Sequence, residues 1–121
     1  MQLPVNLQRV NVATTTNATI NTLSSFTMLS APGAGIRYRA WGMAFGARGT
    51  NTGSLWQRMR DAAASSTANL GELTAAAKTG AWIFWPGGLP CADNGAITCD
   101  VLSEVALQTM VSYLWYTTEL D

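Results

Sequence analysis

Between Ile36 and Ala47 the sequence runs Ile-Arg-Tyr-Arg-Ala-Trp-Gly-Met-Ala-Phe-Gly-Ala, entered through Ala31-Pro-Gly-Ala-Gly35. Ile36, Tyr38 and Ala40 fall two apart, and so do Trp41, Met43 and Phe45, which is the period of a strand. Gly42 and Gly46 inside the stretch, with Tyr, Trp and Phe at even spacing, argue against a helix. The stretch therefore reads as a central strand. Large apolar groups take one face, and small residues and glycines line the other along its second half. The bulky face fills a core, and the small face lets a second layer or another subunit's backbone come close.

The neighbouring segments carry the same period. Between Ala18 and Leu29, Ile20, Leu23, Phe26 and Met28 are separated by Thr, Asn and Ser, as in an antiparallel sheet wet on one side. Arg48 to Gly53 is a loop of turn residues. Ser54 to Arg60 then returns as a strand, with Leu55, Gln57 and Met59 opposite Trp56, Arg58 and Arg60, and makes a hairpin with the central strand. From Asp61 to Lys78 short alanine runs compete with Gly71 and with Ser, Thr and Asn. A loop and then a strand from about Thr67 to Ala75 is favoured, with one short helical turn left open.

Gly80-Ala-Trp-Ile-Phe-Trp85 is so apolar that both of its faces need cover, one from the core and one from a neighbouring chain or loop. It ends at Pro86-Gly-Gly-Leu-Pro90, a corner expected to stop the ladder. Ala96 to Leu102 sets Ile97, Cys99 and Val101 against Thr98, Asp100 and Leu102. Gln108 to Thr117 sets Val111, Tyr113 and Trp115 against Met110, Ser112 and Leu114. About eight strands with turn signals at short intervals describe an all-β, antiparallel β-sandwich or jelly roll.

A chain of 121 residues holds one domain of ordinary size. That domain is expected over 18–121, behind an extended N-terminal arm over 1–17 in which Pro4 blocks an early helix. The arm's apolar residues either dock on a neighbouring subunit or form an edge strand of the same domain. Charged residues make up only 12% of the chain and apolar ones 48%, so part of the surface is expected to be covered by a partner. Seven basic and seven acidic residues balance, which disfavours nucleic acid and anionic membranes as partners. The absence of histidine removes the commonest general base and metal ligand, and no catalytic, cofactor or metal site is expected. No basic, apolar signal-peptide start and no window of ~20 apolar residues is present. Synthesis in a cytoplasm is expected, followed by retention there or release with something larger.

Three signatures, taken together, resemble a known group. They are Ala31-Pro-Gly-Ala-Gly-Ile-Arg-Tyr-Arg39, Gly80-Ala-Trp-Ile-Phe-Trp-Pro-Gly-Gly-Leu-Pro90 and Val111-Ser-Tyr-Leu-Trp-Tyr116. The pattern, spanning roughly Ala18 to Tyr116, resembles small capsid decoration (cement) proteins of tailed bacteriophages. The resemblance implies a virion structural protein of β-sandwich type on the capsid surface, a homotrimer that bridges adjacent major capsid proteins and carries no catalytic residues. The alternative is a fibre or tail-tip module that binds carbohydrate or a receptor through exposed aromatics. The cysteine pair and the alanine-rich middle depart from the simplest version of the pattern.

Residues singled out for capsid or subunit contact are Arg37, Arg39, Arg58 and Arg60, expected as one patch on neighbouring strands, together with Trp82 and Phe84. The other reading of the arginines is as strand ends paired with local acids such as Asp61. Cys91 and Cys99 flank a short loop and would close as a disulfide if their Cα atoms lie within ~7 Å; otherwise Cys99 is plain core. The acids Asp93, Asp100, Glu104, Glu119 and Asp121 match no calcium loop and read as a solvated loop and tail.

Overall fold

The computed structural model describes residues 10–18, 24–48, 53–61, 69–76, 79–103 and 109–120. Among them are eight strands and no helix: β1 (Asn11–Ala18), β2 (Ser24–Leu29), β3 (Ile36–Arg48), β4 (Leu55–Asp61), β5 (Asn69–Ala75), β6 (Gly80–Pro90), β7 (Ile97–Ser103) and β8 (Thr109–Leu120). They pair antiparallel in two four-stranded sheets, ordered β1-β8-β3-β6 and β2-β7-β4-β5. Apart from β4 and β5, which pair within one sheet, successive strands cross between the sheets, which is the winding of a jelly roll. The expected all-β sandwich is thus the fold, and the stretch from Ile36 is a central strand. Residues 1–9, Ile20, Leu23 and the loop after Arg48 lie outside the described residues. The part of the arm segment from Asn11 onward is edge strand β1, paired with β8.

Alternation decides what goes inside. Met43 and Phe45 of β3, Leu55 and Met59 of β4, Ile97, Cys99 and Val101 of β7, and Met110 and Leu114 of β8 are all buried between the sheets. Gln57 sits among them, fully buried, and its Nε2 donates to the Ala44 carbonyl of the opposite sheet at 3.2 Å. Gly71 of β5 leaves room for Trp85, whose ring would lie 2.9 Å from an added Cβ, and for Met43 at 3.2 Å.

β3 contains one extra residue. Ala40 pairs with Tyr116 and Gly42 with Trp115, so Trp41 is a β-bulge. Tyr38 and Ala40 point inward before it and Met43 and Phe45 after it, while Trp41 and Gly42 both face outward. The expectation that Trp41 shares a face with Met43 and Phe45 is corrected by this change of phase. The Trp41 indole N–H instead donates to Thr117 Oγ1 at 3.0 Å on the outer face.

Two further corrections concern connections. β3 and β4 do not form a hairpin, because they belong to opposite sheets. The Pro86-Gly-Gly segment does not end β6: the pairing with β3 slips there, Gly87 and Gly88 take φ of 78° and 73°, and Leu89 and Pro90 pair again with Ala40 and Arg39. Arg39 holds the slip in place by donating from Nη1 to the Gly87 carbonyl at 2.8 Å. Nearby, the loop after Pro90 is tied to β3 by Cys91 N–H to Tyr38 O at 2.9 Å and Asn94 N–H to Ile36 O at 2.8 Å.

A Cβ at Gly42 would run into the Phe84 ring and stand 2.9 Å from the Ile83 carbonyl. Gly42→Ala is therefore expected to destabilise the fold by about 1–3 kcal/mol, as overpacking does. Chemical denaturation of the two chains measures it, and an unchanged midpoint would contradict the close approach.

Candidate assembly surface

The bulge turns Gly42, Ala44 and Gly46 outward, so the middle of the β1-β8-β3-β6 sheet has a floor of small residues. Larger side chains from both neighbouring strands close over it. Phe84 of β6 and Trp115 of β8 each pair with Gly42, and their rings meet across it at 5.2 Å between centroids. Trp82 and Tyr113 flank Ala44 in the next row. Trp82 contacts Phe84 at 5.4 Å, and Tyr113 stacks on Trp115 at 6.0 Å. Val12, opposite Trp115, extends the apolar surface to β1.

This cluster faces solvent: Trp82 is 68% exposed and Phe84 49%. A contiguous apolar patch of this kind on a folded chain marks a contact surface more often than a scattered exposed side chain does. Trp82 and Phe84 were both singled out from the sequence, and the structure brings them together. Tyr113 and Trp115 were not among the residues singled out for that surface. The signal for them was the small second half of β3, which required large groups from adjacent strands to cover it.

The arginines do not form one patch. Arg37 and Arg39 lie on β3, and Arg58 and Arg60 lie on β4 in the other sheet. Arg37 and Arg39 both grip Glu119 of β8: Arg37 Nη2 lies 2.8 Å from Oε2, and Arg39 Nε lies 2.6 Å from Oε1. The hydrogen bond from Arg39 holds the Glu119 carboxyl below the usual carboxylate range, partly offset by burial and helped by Arg37.

On the opposite sheet Ser25, Asp100, Arg58 and Glu72 form a single row across four strands. Asp100 is not a solvated loop acid but a fully buried one. It accepts from Ser25 Oγ, from Arg58 Nε at 2.8 Å and from Arg60 Nη2 at 3.1 Å. Burial opposes its ionisation, but the hydrogen bonds from Ser25, Arg60 and Arg58 outweigh it and hold the carboxyl below its ordinary range. Arg58 also lies over the Trp56 ring, 5.1 Å from its centroid. Asp61 Oδ2 accepts the Ala92 N–H at 2.6 Å.

Of the two readings left open for the cysteines, the structure has the free thiols and not the bridge. Cys91 and Cys99 are both free and buried, one in the loop after β6 and the other in the middle of β7 against the core. Burial pushes both thiols up to about 12, and the nearby carboxylates Asp61 and Asp100 respectively add to the shift. Thiols so held are unreactive. Among the described residues no group of His, Cys, Asp and Glu could hold a metal ion. Glu104 and Asp121 lie outside the described residues.

The sequence matches no protein-family model and no curated protein. Solved structures do resemble it in fold. A chain from Bacillus endospore appendages, described as a novel family of disulfide-linked pili, is 12% identical over 97% of this chain and 96% of its own, with a TM-score of 0.52. Tomato aspermy virus provides a chain 7% identical over 88% of this chain and 76% of its own, at a TM-score of 0.47. A virus-like particle of the extra small virus of the prawn Macrobrachium rosenbergii gives 10% identity over 94% and 82%, at 0.36. At these identities the likeness is one of fold.

Asp100 and Glu119 ionise more readily in the folded chain than in the unfolded one, so the stability they add is whole above the ordinary carboxylate range near ~4. It is lost as the pH falls through their lowered folded values. Denaturant midpoints taken from pH 7 to pH 2 are expected to drop below that range, and Asp100→Asn is expected to be less stable at pH 7 with a flatter acid limb. An identical acid limb in the variant would contradict the assignment.

For the cysteines, alkylation of the native chain at pH 8 is expected to label neither thiol within minutes, and denaturation is expected to release two. Denatured, unreduced chain that yields no thiol would restore the bridge.

Proposed function

We propose that this chain is a non-enzymatic structural subunit of a larger protein particle, and that the aromatic face of the β1-β8-β3-β6 sheet is where it meets other subunits. The observation that carries this reading is the contiguous cluster of Trp82, Phe84, Trp115 and Tyr113 on a floor of Gly42 and Ala44, left open to solvent in a chain otherwise poor in charge. Charge does not compete with it for that role, because the arginines beside Glu119 and Asp100 are already engaged. The finer reading follows the resemblance to phage cement proteins. In it the chain forms a trimer on the capsid surface of a tailed phage and bridges adjacent major capsid proteins, stabilising the shell by burial. Apolar burial contributes about 25 cal/mol per Å². Repetition over many copies multiplies a modest contact into a strong one. The similar fold of a pilus subunit, another assembling protein, is compatible with the coarser part of this reading.

The exposed Trp82 and Phe84 also support a second reading, a fibre or tail-tip module that binds carbohydrate on its aromatic rings. Light scattering coupled to size exclusion separates the two. The wild-type chain is expected to associate at high concentration, and Trp82→Ala is expected to weaken association roughly 10- to 100-fold, the range of an interface aromatic. A chain that remains monomeric and binds glycans through Trp82 would favour the second reading.

A further inference from the structure

Taking the aromatic face as an assembly surface, we propose that residues 1–9 of a neighbouring copy occupy it, added as a strand along β6 between Ala81 and Trp85. β6 is an outer strand of its sheet, and from Gly80 to Trp85 it contains neither a charge nor a proline. Proteins normally blunt such an edge with lysine, proline or a bulge, because its unpaired N–H and C=O groups are a template for another strand. Here the slip at Trp85 to Gly88 guards one end alone, and the rest of the edge carries the exposed rings of Trp82 and Phe84.

The sequence supplies a matching strand. Met1, Leu3, Val5 and Leu7 alternate with Gln2, Pro4, Asn6 and Gln8, giving one apolar face at a period of two. Pro4 fixes which residues face β6. Along a strand the N–H groups of alternate residues point to opposite sides. If Leu3, Val5 and Leu7 bond to β6, the N–H that Pro4 lacks would have faced away, where its loss costs nothing. The same register lays the apolar side chains beside Trp82 and Phe84 and makes the added segment the new edge, the position in a sheet where proline is tolerated.

The donor is a neighbour by geometry. Residue 10 precedes β1, the opposite edge of the sheet from β6, with β8 and β3 between them. At ~4.8 Å per strand spacing, reaching β6 of the same chain means crossing ~14 Å. Nine extended residues span ~30 Å, so the crossing would use about half of them and run across the strands rather than along β6. A segment arriving from another copy lies along the edge over its full length.

The test uses the full chain carrying Leu3→Asp and Val5→Asp, with Trp82→Ala beside it. Light scattering reads association, and hydrogen exchange reads residues 80–85. In the wild type, exchange over 80–85 is expected to slow several-fold on concentration. The double variant, with an unchanged far-ultraviolet spectrum, is expected to stay monomeric with fast exchange there. A synthetic peptide of residues 1–12 is expected to restore the protection, and failure to do so would overturn the proposal. Association of the double variant at wild-type strength, lost in Trp82→Ala, would overturn it too while leaving the assembly role of the face intact. Monomeric behaviour of all three chains would overturn both.

Discussion

The single extra residue at Trp41 governs what the two faces of the β1-β8-β3-β6 sheet can be. A regular β3 would carry one set of side chains inward along its whole length. The bulge instead lets Tyr38 and Ala40 fill the core at one end and Met43 and Phe45 fill it at the other. Trp41 and Gly42 then both face out. The Trp41 indole is settled by its bond to Thr117, and Gly42 becomes a gap that Phe84 and Trp115 close from either side. The core and the exposed aromatic cluster are thus two consequences of one change of register.

The outer faces of the two sheets differ in kind. Across β2-β7-β4-β5 a row of Ser25, Asp100, Arg58 and Glu72 binds four strands together through charge and hydrogen bonds. A buried carboxylate is tolerated there because several donors converge on it. The other sheet gathers Arg37 and Arg39 around Glu119 at one end and leaves its middle apolar. A chain whose two broad surfaces diverge this far can present one side to water and the other to protein. The likeness to the pilus chain is one of fold alone, and the argument for assembly rests on the aromatic face instead.

Period-two patterning made most of the strands legible. β4, β7 and β8 each turn one of their two alternating sets into the core, and the small second half of β3 announced a face open to close approach. Pairing between strands was not legible, because it depends on contacts far apart in the chain. Adjacent segments read as a hairpin, β3 and β4, lie in opposite sheets, and this divided the arginines into two groups. Asp100 looked like a loop acid until the arginines of β4 came beside it in space. Trp41 continues the spacing of Met43 and Phe45 perfectly, and only the partner strand β8 reveals that a residue has been inserted. The Pro86-Gly-Gly segment carries every sign of a strand end, yet Arg39 holds its carbonyls so that pairing resumes at Leu89.

If the open aromatic face is an assembly surface, its rings must leave water when the chain is among its own copies. Hydroxyl-radical footprinting reads this at residue level, comparing dilute with concentrated protein. The account predicts that oxidation of Trp82 and Phe84 falls several-fold on concentration while that of exposed side chains on the charged sheet stays constant. Equal oxidation of Trp82 and Phe84 under the two conditions would contradict it.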